Sequence, residues 1–156
     1  MWVSTLVKSF PLNILFTIFI LSSPLTLIIL RALSIIGVEN TSMKHKFRSF
    51  GNLTKATQGA NGQFKILMTH DPSHWRAEVL PKTDIDLTLS GHTHAMQSTL
   101  FGWSIISFIY KEFMGLYSEG NRHLYVNIGL GETMFPFRVG AKPEITVITL
   151  KNRSAE

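Results

Sequence analysis

Residues 64–94, FKILMTHDPSHWRAEVLPKTDIDLTLSGHTH, decide the fold. Phe64–Met68 is a short apolar run of the length a buried strand needs, and Ile85–Leu89 is a second. Between them, Asp71-Pro72-Ser73 supplies a helix start. A short acceptor side chain can satisfy freed N–H groups there, and a proline at the first helical position loses no hydrogen bond. The pattern predicts a helix over His74–Leu80, stopped by Pro81. Strand, helix and strand in this order form a crossover unit, so the two strands are expected to be parallel neighbours.

Both strands run directly into histidine. One ends Met68-Thr69-His70-Asp71 and the other Leu89-Ser90-Gly91-His92-Thr93-His94. Ligands of open α/β sheets gather beyond the carboxyl ends of the strands. His70, His92 and His94 are therefore expected at one sheet edge, as ligands of a metal centre. Neutral imidazole suits borderline divalent ions, and Gly91 lets the chain turn sharply out of its strand. An isolated H-x-H pair would be weak evidence; the third histidine, at the end of the preceding strand, makes metal binding the better reading. His45, in a basic loop, His74, at a helix start, and His123, near a hairpin, are expected to be structural or solvated.

Upstream, Leu33–Val38 reads as a further buried strand, and residues 41–63 as a polar loop with a short helix around Leu53–Gln58. Downstream, Gly115–Tyr117 and Leu124–Asn127 flank a turn at Glu119-Gly120-Asn121, the pattern of an antiparallel hairpin. Ile145–Leu150 alternates apolar residues with threonine, as a strand with one covered face does. The fold class is α/β with a mixed sheet. The chain divides into a hydrophobic segment at 1–32, the α/β domain at 33–151 and a tail at 152–156.

The first segment has its own chemistry. No charged residue lies between Ile14 and Leu30, with Lys8 and Arg31 on either side. The run sits at the short end of the roughly 17–25 residues a membrane-spanning helix needs. It is apolar all round, so a transmembrane helix kinked at Pro24 is one reading. A buried strand pair broken at Ser22-Ser23-Pro24 is the other. A membrane-associated location follows from the first, with the cytoplasm as the alternative.

Hydrophobic residues make up 45% of the 156 and charged ones 16%, which excludes a disordered chain. The formal net charge of +5 suits an anionic partner: a phosphate ester, an acidic membrane or a nucleic acid. No nucleic-acid-binding motif is present, and the densest basic cluster, Lys44, Lys46 and Arg48, reads as a solvated loop. With no cysteine, disulfides and thiolate-held zinc are excluded.

ILMTHDP followed by DLTLSGHTH resembles the last motifs of the calcineurin-like metallophosphoesterases. The likeness extends to the subgroup with S-G-H-T-H-x-x-Q and a later G-L-Y-x-x-G…L-Y-V-N, and covers about residues 34–150. It implies part of an α/β/β/α sandwich and a two-metal centre that hydrolyses phosphate mono- or diesters, on a small-molecule or lipid-like substrate. It also implies that His70 and His92 bind one divalent ion and His94 the other, with manganese, iron and zinc equally compatible. The family's D-x-H, G-D-x-x-D and G-N-H-D/E motifs have no counterpart here, and no aspartate precedes Asp71. Ala95-Met96 stands where many members carry Gly-Gly. The resemblance thus predicts an incomplete catalytic domain from a truncated or mis-started relative, with no residue assignable as catalytic and no activity expected of these residues alone. The alternative is an inactive, membrane-tethered scaffold or a gene fragment.

Overall fold

The described residues of this computed structural model are 2–10, 17–18, 27–30, 33–43, 49–133 and 135–152. In chain order they form β1 (Trp2–Phe10), β2 (Thr17–Ile18), β3 (Leu27–Leu30), β4 (Leu33–Gly37), α1 (Leu53–Thr57) and β5 (Phe64–Met68). A wide π-type turn at Trp75–Val79 then runs into α2 (Leu80–Lys82). β6 (Leu87–Ser90), β7 (Gly115–Glu119), β8 (Arg122–Val126) and β9 (Glu144–Asn152) complete the set.

One sheet has the order β3-β4-β5-β6-β8-β7, and a smaller one has the order β1-β9-β2. β4, β5, β6 and β8 are mutually parallel, while β3 and β7 run antiparallel on the two edges. The parallel β5–β6 pair and the β7–β8 hairpin are the ones the sequence predicts. The parallel entry of β8 beside β6 was not anticipated from the antiparallel look of the second half. A hairpin is a local signal, whereas the partner of its inner strand is set by which edge is open.

The strand faces explain the layers. Leu33, Phe64, Ile66, Leu87, Leu89 and Tyr125 pack with Ile148 and Leu150 of β9, so the two sheets meet face to face. Alternate residues of the same strands, Ile36, Leu67, Leu124 and Val126, point the other way and meet Leu53, Trp75 and Val79. The result is a helical layer on a mixed sheet on a second sheet, consistent with a partial α/β/β/α sandwich. In β9, Thr146, Ile148 and Leu150 are buried and the intervening residues only half-buried, the one-sided pattern expected of it.

Two expectations change. The helix continues past Pro81 to Lys82 instead of stopping before it. Proline has no N–H to give, and its ring crowds the previous turn. The widened turn at Trp75–Val79, in which the Leu80 N–H bonds back to Trp75 O, makes room for it. Arg122 then takes up the carbonyls of Val79, Leu80 and Ile85. Second, β1 pairs in parallel with β9 along its whole length, although the strand pair offered as one reading of residues 1–32 lies wholly after it. Of the Ile14–Leu30 run, Thr17–Ile18 and Leu27–Leu30 are strands, and the rest lies outside the described residues. Among the described residues no helix is long and apolar enough to cross a membrane.

Leu67, on β5 between two parallel neighbours, is fully buried. Truncating it leaves a cavity that the sheet cannot close. Leu67→Ala is expected to cost about 2–5 kcal/mol, read as the shift in a urea unfolding midpoint at unchanged slope.

Candidate metal centre

The β5–β6 ladder does not stop where the strands do. Thr69 N–H donates to Leu89 O at 3.0 Å, and Gly91 N–H to His70 O at 3.1 Å. On the other side of β6, Asn127 N–H donates to Ser90 O at 2.8 Å. These bonds hold the exits of three strands in register and bring His70 and His92 side by side. Nε2 of His70 lies 3.0 Å from Nδ1 of His92, with the rings edge to face at 4.8 Å between centroids.

His92 leaves the strand with φ +69°, and His94, Ala95, Met96 and Gln97 all have φ between +47° and +56°. This left-handed region costs an L-residue roughly 1–2 kcal/mol, so surrounding contacts must hold the loop. Thr93 Oγ1 donates to Phe113 O at 2.5 Å, and Ser104 Oγ to Ala95 O at 2.7 Å. Gln97 is buried and reaches across to the 133–137 segment. Its amide donates to Phe135 O and Phe137 O, and its carbonyl accepts from Thr133 N–H.

The third predicted histidine is placed differently. The His94 ring packs against Gly129, whose own φ is +75°. A β-carbon there would sit 3.2 Å from His94 Cε1, tighter than ordinary packing. Nδ1 of His94 lies 3.2 Å from Nη2 of Arg138, which also donates to Ile128 O at 3.0 Å. Guanidinium can only donate, so this contact occupies the Nδ1 lone pair. Arg138 carries no sequence signal of this contact, because it lies 44 residues beyond His94.

Asp71 is the nearest carboxylate, and it is committed elsewhere. Its Oδ1 accepts from Ser73 N–H at 2.8 Å and Ser73 Oγ at 2.6 Å, and its Oδ2 accepts from Ser42 and from the Tyr110 hydroxyl at 3.2 Å. Tyr110 in turn lies edge-on to His92, 5.7 Å between ring centroids. Burial and the nearby Asp71 charge push the Tyr110 hydroxyl well above its ordinary pKa, so it acts as a proton donor. Two ligands at about 2.0–2.1 Å from one tetrahedral ion sit roughly 3.3 Å apart. The His70–His92 nitrogens therefore fit as a ligand pair. Among the described residues no three His, Cys, Asp or Glu side chains are arranged to hold one ion, so a full two-metal set does not fit these residues as they stand.

His74 and His123 are both buried structural groups, as expected of them. His74 bridges Thr69 Oγ1 at 3.0 Å and Glu78 Oε2 at 3.2 Å. His123 contacts Ser118 Oγ at 2.8 Å. His45 lies outside the described residues.

Several known proteins are similar to part of this chain. The uncharacterized metallophosphoesterase YkuE of Bacillus subtilis is 47% identical over 94 residues, 57% of this chain and 32% of that protein. A transmembrane protein with metallophosphoesterase domain from Danio rerio is 40% identical over 88 residues, 55% of this chain and 20% of that protein. An uncharacterized metallophosphoesterase of Helicobacter pylori is 37% identical over 87 residues, 54% of this chain and 23% of that protein. The chain is thus similar to proteins named metallophosphoesterases over little more than half of its own length, and the matches span a third or less of each of these relatives. No family model matches the chain, and no solved structure matches it significantly.

His70, His74 and His94 are all held below their ordinary pKa of 6.5, in each case chiefly by burial. The unfolded chain then binds protons at a pH where the folded one does not. Their contribution to stability is complete above pH 6.5 and is lost as pH falls below it. Thermal melting points should hold steady from pH 8 to 7 and fall on acidification towards pH ~5. A melting point that rises over that acid range would contradict these environments.

Proposed function

We infer that this chain contributes the histidine side of a metal-dependent phosphoesterase centre. The observation that carries the reading is the 3.0 Å approach of His70 and His92 nitrogens at the carboxyl ends of adjacent parallel strands. His70 and His92 would hold one divalent ion, and His94, released from Arg138, would serve a second. A bound ion supplies charge to a phosphoryl oxygen and acidifies its own water. The protein's own part is positional. The ladder fixes His70 and His92, Gly129 fixes the His94 ring, and Tyr110 presents a hydroxyl beside His92.

Phosphate mono- or diester hydrolysis is the reaction class, supported by the resemblance and by relatives named metallophosphoesterases. Two ions about 3.5–4 Å apart repel strongly unless carboxylates offset their charge. Imidazoles supply no such charge, and Asp71 is already engaged. Complete chemistry therefore calls for carboxylate ligands from outside these 156 residues. A location at a membrane is proposed with it, supported by relatives named as transmembrane proteins.

With manganese or zinc added, the 156-residue chain is expected to hydrolyse bis(p-nitrophenyl) phosphate no faster than its His92→Ala variant. A metal-dependent rate that disappears in that variant would show that the residues present suffice.

A further inference from the structure

The stretch Ser98–Tyr110, STLFGWSIISFIY, contains no charged residue, and no acidic residue occurs from Leu87 to Lys111. It leaves the site loop, turns at Phe101-Gly102 and returns through a short helical turn at Ile105–Phe108. That turn is apolar on both sides. Ile106 and Tyr110 face inward and are buried, while Ile105, Phe108 and Ile109 face out. Phe101, at the tip, is 100% exposed and Phe108 80%. Beside them runs the 135–139 segment, tied on by Thr99 N–H to Val139 O at 2.8 Å and by the Gln97 amide. It adds the stacked rings of Phe135 and Phe137, and Val139, all exposed. Large apolar patches are uncommon on soluble proteins and mark contact surfaces.

We propose that Ser98–Tyr110 and the 135–139 segment form a docking surface for an anionic lipid bilayer, next to the histidine pair. The composition fits an interface: Phe101, Trp103 and Phe108 supply aromatic rings of the kind that settle at headgroup depth. The charge fits as well. Lys111 follows the first segment directly, Lys142 lies three residues after the second, and both are exposed; Arg138 lies within the second, with Glu132 as its acidic neighbour. Tyr110 ends the apolar stretch and meets His92, so a docked lobe sets the histidines near the headgroup layer. Access to a phosphate ester held in the bilayer rests on the phosphoesterase reading; the docking itself does not.

The chain has no cysteine, so a single one can be placed and labelled. Phe101→Cys carrying an environment-sensitive fluorophore should blue-shift and brighten severalfold on adding phosphatidylcholine–phosphatidylglycerol vesicles. The same label at Thr54→Cys, exposed on α1, should not change. Phosphatidylcholine vesicles alone should give a weaker response, and Phe101→Asp with Phe108→Asp should lower vesicle co-sedimentation roughly tenfold. A label at 101 that stays in water while the chain binds vesicles would overturn the proposal and leave binding to residues 1–32. A blue shift that follows protein concentration without vesicles would overturn it in favour of a second copy. Hydrolysis is read in neither arm, so failure here leaves the metal-site reading standing.

Discussion

The hydrogen bond from Gly91 N–H to the carbonyl of His70 is the contact on which the rest of the site depends. It extends the parallel pairing of β5 and β6 beyond the point where both strands end. Without it, two loops would leave the sheet independently, and their histidines would each be solvated. With it, the two rings have to share one place. The strands can do this because they are buried on both faces and locked in register by Leu67, Leu87 and Leu89. The core thus fixes the site, and the cost of misplacing the histidines is the cost of slipping the sheet.

Past His92 the chain accepts strain. Ala95 and Met96 adopt backbone angles that glycine would take without penalty, and Gln97 follows with φ +56°. The loop stays in place because Gln97 bonds to three backbone groups of the 133–137 segment and because Ala95 is sealed among Ile128 and Ala141. Those contacts also bind the apolar lobe to the site. Strain at His92–Gln97, the clamp at Gln97 and the exposed aromatics are parts of one construction, since the same backbone segment carries all three. Strained backbone held by its surroundings is a frequent mark of functional loops.

The sequence made some of this legible. The crossover unit could be read because its strands are short apolar runs and its helix start has the right cap. The meeting of His70 and His92 follows from that topology alone. The family likeness added the role and the expectation that the earlier motifs should have been present. Other features depend on contacts too distant to read. Arg138 beside His94, Glu144 bonded to Tyr125, and β1 alongside β9 join residues whose sequence separation carries no periodic signal. Pro81 misled for a physical reason: an ordinary helix would have ended there, and only a widened turn accommodates it. The apolar tip at Phe101 is hidden in the sequence because an exposed hydrophobic run has the same composition as a core one.

Zinc titration followed by calorimetry tests the central claim most directly, because it reads ligand placement without requiring turnover. The account predicts saturable binding to the folded chain, weakened at least about tenfold by either His70→Ala or His92→Ala, with both variants still folding cooperatively. Binding that is unchanged when both histidines are replaced, or no binding at all to the folded chain, would contradict the assignment of this sheet edge as a metal centre.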